Sequence, residues 1–121
     1  MKLTNNEIYE YAIALSNAFA DNTRLPMKIN FYLQKNKKTL IELARDIEES
    51  RTEIIRNYGE PIGDGAQYTI AKDNIEVAQK ELEDLLLLEQ DVNICMISAD
   101  SLTDDVSLTT SQMEAIMFMI E

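Results

Sequence analysis

Between Pro26 and Gly59 lie 32 residues with no glycine and no proline. Leu33, Leu40, Ile47 and Ile54 recur in that stretch at seven-residue steps, with Ile29, Leu43 and Tyr58 close to the same row. This spacing predicts one helix over about 26–58. Pro26 sits in its first turn, where a missing N–H is harmless, and Gly59 is its left-handed stop. At ~1.5 Å per residue such a helix is a rod of about 50 Å. That is longer than a 121-residue globule is wide, so the rod must protrude or find cover along its length. Asn36 and Ser50 interrupt the partner row of that seam, as registry devices or as weak spots. Phe31-Tyr32-Leu33 also allows a short extended stretch, with the helix starting nearer Gln34.

The remaining punctuation divides one domain, 1–121, into three parts. Residues 1–58 hold an N-terminal helix and the rod, 59–73 hold a Gly-containing turn, and 74–121 hold an acidic helix, a short strand and a last helix. Thr4-Asn5-Asn6-Glu7 reads as a capping box opening a helix of about 5–20, with Ile8, Tyr11, Ala12, Leu15 and Phe19 on one face. Asp21-Asn22-Thr23 breaks it. Gln67-Tyr68-Thr69-Ile70 reads as a strand or strap. Asp73-Asn74-Ile75-Glu76 reads as a second capping box. It opens a helix of about 74–90 with Ile75, Ala78, Leu82, Leu85 and Leu86 inward, antiparallel to the rod. Val92, Ile94 and Met96 alternate with their neighbours, as an extended segment does. Thr109-Thr110-Ser111-Gln112 is a third capping box, and Met113, Ile116, Met117 and Ile120 mark the expected inner face of the last helix. The fold expected is mainly α: a long antiparallel helical hairpin, short N- and C-terminal helices and a small extended or β element near 92–97.

Charge is divided as unevenly as shape. Residues 1–58 carry nine Lys/Arg against eight Asp/Glu, whereas 59–121 carry two against fourteen, for a net −11. A field of one sign repels nucleic acid and anionic membrane and attracts basic partners. No apolar run reaches the ~20 residues of a membrane span, and residues 1–20 lack a secretory pattern. The single cysteine, Cys95, fits a reducing compartment and reads as a buried, inert thiol. There is no histidine, which removes Ser-His and Cys-His nucleophiles and His-based zinc sites. The three glycines, Gly59, Gly63 and Gly65, spell no phosphate-binding loop. No enzyme, cofactor or metal is expected.

Four constellations remain. Glu81, Glu83, Asp84, Glu89 and Asp91 form an acidic cluster suited to a basic protein surface, or else a solvated helix face. Arg56, Tyr58 and Tyr68, with Arg45 and Arg51 nearby, offer guanidinium forks and aromatic faces to a small nucleotide-like ligand; the competing reading is pairing along the helix with Glu48, Glu49 and Glu53. Asp100, Asp104 and Asp105 supply oxygen ligands but fit no calcium-loop spacing. Met113, Met117, Phe118 and Met119 make the last helix apolar on most sides, which suits a buried or oligomer-interface element.

Some stretches resemble a known group. They are Leu25-Pro26-Met27-Lys28, Leu33-Gln34-Lys35-Asn36, Glu48-Glu49-Ser50-Arg51 and Ile54-Ile55-Arg56-Asn57-Tyr58-Gly59. The endings Leu108-Thr109-Thr110-Ser111-Gln112-Met113 and Ile116-Met117-Phe118-Met119-Ile120-Glu121 belong with them. Together they resemble small acidic helical proteins of phages and prophages of low-GC Gram-positive bacteria. The resemblance implies a phage gene product in the host cytoplasm and carries over no site residues. Three roles are then open: a non-enzymatic inhibitor of a host factor or defence component acting through its acidic surface, a virion assembly component such as a head–tail or tail chaperone, or a sponge for a small nucleotide. Because the rod and the last helix offer more apolar surface than one small core covers, a homo-oligomer is expected as well.

Overall fold

The computed structural model describes residues 1–20, 24–62, 67–103 and 106–121. The expected break at 21–23, Gly63, Gly65, Asp104 and Asp105 lie outside the described residues. In chain order the elements are β1 (Lys2–Thr4), α1 (Asn5–Ala18), α2 (Met27–Tyr58), β2 (Gly59–Ile62), β3 (Gln67–Ile70), α3 (Ile75–Leu87), β4 (Glu89–Asp91) and α4 (Thr110–Ile116). Short 3-10 turns stand at Lys72–Asn74, Ala99–Ser101 and Met117–Met119. The architecture is mainly α with two small antiparallel ribbons, β1–β4 and β2–β3.

The rod is continuous from Met27 to Tyr58 through Asn36, about 48 Å of helix. Its inner row, Ile29, Leu33, Leu40 and Ile47, is buried, and Asn36 is fully buried among them. Ser50, in contrast, is exposed and lies off the seam. Two shorter helices run antiparallel to the rod. α1 begins beside Glu48 of α2, where the Tyr9 hydroxyl donates to Glu48 Oε2 at 2.7 Å, and ends near the start of α2. α3 begins beside Tyr58, and its Leu82, Leu85 and Leu86 come alongside Glu48 and Arg51. Together they answer the length problem only in part. The buried core lies under α1, with Ile8, Ala12, Leu15 and Phe19 against the rod. Among residues 48–62 and 68–77 none is buried, so the far end of α2 and the β2–β3 ribbon form an arm.

Two capping boxes form as read. Thr4 Oγ1 accepts from Glu7 N at 3.1 Å while Glu7 Oε1 accepts from Thr4 N at 3.0 Å, and Thr109 and Gln112 make the same exchange at 3.1 and 3.0 Å. The box expected at Asp73–Glu76 does not form. A 3-10 turn leads into α3, Asn74 makes no capping bond, and its Nδ2 donates to Tyr58 O instead. Gly59 is not a left-handed stop, because its φ of −110° and ψ of 165° already open strand β2. A side chain is excluded there by proximity: a Cβ would lie 2.6 Å from Ile55 O.

α3 stops at Leu87, not near 90, and the strand falls at 89–91 rather than within 92–97. The reason is capture from a distance. Asn5 Nδ2 donates to Leu85 O at 2.7 Å and Asn5 N to Leu88 O at 2.8 Å, so α1's first residue supplies donors to carbonyls at the end of α3 that have no further helical turn to bond them. Residues 92–97 are extended but pair only at their ends. Val92 N donates to Met1 O, and Ile97 bridges Ile120, with Ile97 N to Met119 O at 2.7 Å and Glu121 N to Ile97 O at 2.8 Å. Between those ends, Asn36 takes the place of a strand. Its Oδ1 accepts from Cys95 N at 2.7 Å and its Nδ2 donates to Cys95 O at 2.9 Å.

The last helix is rotated from expectation. Gln112, Ala115, Ile116 and Met119 point inward, whereas Met113 and Met117 are exposed. The turn at Met117–Met119 is 3-10, which aligns Ile116 with Met119, and Gln112 Nε2 reaches Ala18 O at 3.1 Å to close the end of α1. Phe118 stacks on Tyr11 at a centroid distance of 4.4 Å.

Asn36→Leu removes both partners of Cys95's half-buried backbone and is expected to cost about 2–6 kcal/mol, at about 1–3 for each orphaned group. Ser50→Leu, at the exposed interruption of the same row, should change stability by no more than about 0.5 kcal/mol. Urea unfolding followed by far-UV circular dichroism checks the pair.

Candidate functional site

α3 carries its carboxylates on three sides of its exposed half. A 3.6-residue period puts Glu81 toward α2, Glu83 on the opposite flank beside Leu86, and Asp84 between them, facing out. Glu81 accepts a hydrogen bond from the Tyr58 hydroxyl at 2.8 Å. Glu89 and Asp91 stand on strand β4, not on the helix, and share one face while Gln90 turns in to Asn5 Oδ1 at 2.7 Å. Lys2 lies opposite Asp91 in the ladder. All five acidic residues are exposed. They form a wrapped surface, not a single stripe.

The proposed ligand cluster is brought together in a different sense. Arg56 lies over the Tyr68 ring, 5.9 Å from its centroid, and Tyr58 is engaged with Glu81. The cation and aromatic face that would hold a nucleotide are thus turned on each other, and they fasten β3 to the rod. Asp100 caps nothing; its N–H donates to Ser98 Oγ at 3.3 Å. Among the described residues no group of three or more acidic or thiol side chains is placed to hold a metal ion. Cys95 is half-buried and unpaired by disulfide. No described helix is long and apolar enough to cross a membrane.

Sequence reasoning missed a concavity with an aliphatic floor. A groove of about 640 Å³ opens between α1, α2 and α3, lined by Leu82, Leu85, Leu86, Ile13, Tyr9, Asn6, Glu10, Glu48 and Arg51. Asn6, Tyr9, Glu10 and Ile13 recur at three- and four-residue steps, so one face of α1 forms a wall two turns long. Ile13 is 57% exposed. The signal was present in the sequence: Tyr9 and Ile13 are apolar residues outside the stripe of Ile8, Ala12 and Leu15 that buries α1.

The groove is fastened at one side by a polar chain. Tyr9 donates to Glu48 Oε2, which also lies 3.6 Å from Arg51 Nη1. Burial first, then the hydrogen bond to Glu48 and its charge, push the Tyr9 hydroxyl up to about 12, against the pull of Arg51. The Tyr58 hydroxyl is raised chiefly by its hydrogen bond to Glu81. The Tyr11 hydroxyl is raised by burial and then by the Glu7 and Glu10 charges.

Compared with known proteins, the chain matches no family model, no curated protein and no solved structure.

The folded state keeps the Tyr9 proton to about pH 12, whereas an unfolded tyrosine loses it near 10. The folded state therefore binds more protons in that window. The stabilisation is complete below about pH 10 and is lost as pH rises toward 12. Tyr9→Phe is expected to lose about 0.5–1.5 kcal/mol at neutral pH and to show a shallower alkaline decline, read by urea unfolding across that range.

Proposed function

We propose that this protein is a non-enzymatic interaction protein whose acidic surface binds a basic protein partner. In the phage setting that the sequence resemblance implies, the bound partner is a host factor or defence component and binding inhibits it. One observation carries the reading. Glu81, Glu83, Asp84, Glu89 and Asp91 are all exposed, and the described residues from 67 onward contain only Lys72 and Lys80 as cations. Among the described residues the one ion pair is Arg51–Glu48, within α2, so these carboxylates stand without a salt-bridge partner. Fixed acidic charge of this density raises encounter rates with a basic surface and rejects acidic ones.

The arm favours a second reading as a virion assembly component. Ile62, Ile75 and Val77 are exposed there, and none of residues 48–62 and 68–77 is buried. Such an arm suits a neighbour in a larger particle.

The test is affinity purification of the tagged protein from host cells, with and without phage infection. The expected result is a basic host protein at stoichiometric yield without infection, released as salt is raised. The variant Glu81→Gln, Glu83→Gln, Asp84→Asn, Glu89→Gln and Asp91→Asn should bind it at least about 10-fold more slowly while unfolding normally. Recovery of phage structural proteins alone would select the assembly role, and equal capture by the neutralised variant would overturn the acidic surface as the binding face.

A further inference from the structure

We infer that the groove between α1, α2 and α3 is the docking site for an amphipathic helix of the partner, apolar on the face it inserts and basic along its flanks. This rests on the reading above and adds the place and form of contact. The floor is aliphatic: Leu82, Leu85 and Leu86 line it from α3 and Ile13 from α1. Its volume of about 640 Å³ lies within the range of built binding sites. Two helices form its sides, and the wall on α1 runs for two turns, about 10 Å. A groove of that form takes a helix through side chains at i, i+3/i+4 and i+7, whereas an added strand needs an open sheet edge.

The rim sets the charge of the occupant. Glu10 and Glu48 border the groove from α1 and α2, and the helical period puts Glu83 beside Leu86 at its outer lip. The rim cation, Arg51, is held 3.6 Å from Glu48. Lysine or arginine flanking an inserted apolar stripe meets Glu10 on one side and Glu83 on the other. A second copy of this chain would bring a net charge of −11 against another −11.

The test uses a fluorescent 18-residue helical peptide built from leucine and lysine heptads. A peptide of the same charge with its leucines replaced by serine and glycine is the comparison. The intact protein is expected to bind the first at least about 10-fold more tightly than the second. Ile13→Lys changes an exposed groove residue, so the fold should hold, and it should weaken binding by about 10-fold or more. Leu87→Lys makes the same change of charge at a residue 69% exposed and outside the groove, and should leave affinity within about twofold. Equal loss in both variants, or equal binding of both peptides, overturns the groove while leaving acidic attraction standing. No salt-sensitive binding of either peptide overturns the acidic reading itself. A dimer in sedimentation equilibrium that Ile13→Lys dissolves assigns the groove to a second copy and overturns the proposed occupant.

Discussion

The pairing of Asn36 with Cys95 holds the most irregular part of this molecule in place. Residues 92–97 carry apolar side chains into the core, yet they have no neighbouring strand along most of their length. Their backbone groups would be stranded without a partner, at a cost of about 1–3 kcal/mol each. A carboxamide is the side chain that can present one acceptor and one donor in the plane of a peptide group. Asn36 does so at 2.7 and 2.9 Å from a fully buried position on the rod, with its Nδ2 also 3.4 Å from Met119 Sδ. Asn36 thus fixes where the extended segment lies along α2 and touches the turn that follows α4.

The same device recurs at the other junctions. Asn5, Asn36 and Gln112 are the buried polar residues among those described, and each ties distant backbone into the core. Asn5 joins the end of α3 to the start of α1, and Gln112 joins α4 to the end of α1. Among the described residues no buried side-chain nitrogen or oxygen lacks a hydrogen-bond partner. None of the three is charged. A chain of net −11 can therefore fold without burying a carboxylate, whose desolvation would cost far more than that of an amide. Its specificity comes from neutral amides inside, and its charge remains available outside.

What the sequence showed, and what it concealed, follows the range of the interactions. The rod, the Thr4–Glu7 and Thr109–Gln112 boxes and the inward row of α1 are local, and their residue spacing is enough to place them. The end of α3 is not local: it depends on Asn5, 80 residues from Leu85, and no window of sequence contains both. The partner of Asn36 is 59 residues away, so the interruption could be seen but not explained. On α4, Ile116 faces inward as read and Ile120 packs on the core, whereas Gln112, Ala115 and Met119 take the places expected of Met113 and Met117; the tightening to three residues per turn beyond Ile116 accounts for Met119 and not for Met113. Of the acidic residues singled out, the structure keeps all five exposed but splits them between α3 and β4. For Arg56, Tyr58 and Tyr68 the sequence offered a ligand site or pairing along the helix, and neither matches the contacts that form, because Tyr68 is brought in by the β2–β3 ribbon and Glu81 by α3.

The groove and the arm have one origin. A 32-residue helix needs cover on its apolar side, and α1 with its 14 residues supplies it from Ile29 to Ile47. α3 reaches the remainder with 13 residues but buries only Ala78. Where the two covering helices meet over Glu48 and Arg51, neither fills the space between them, and leucines from α3 and Ile13 from α1 are left facing a gap. Closing that gap with larger side chains would complete the core and remove the concavity. Leaving it open keeps aliphatic surface half-exposed beside a dense set of carboxylates. In the proposed docking, apolar area supplies affinity there and the acidic rim selects which helices approach. The incomplete cover of the longest helix is thus the origin of the groove on which the proposed recognition rests.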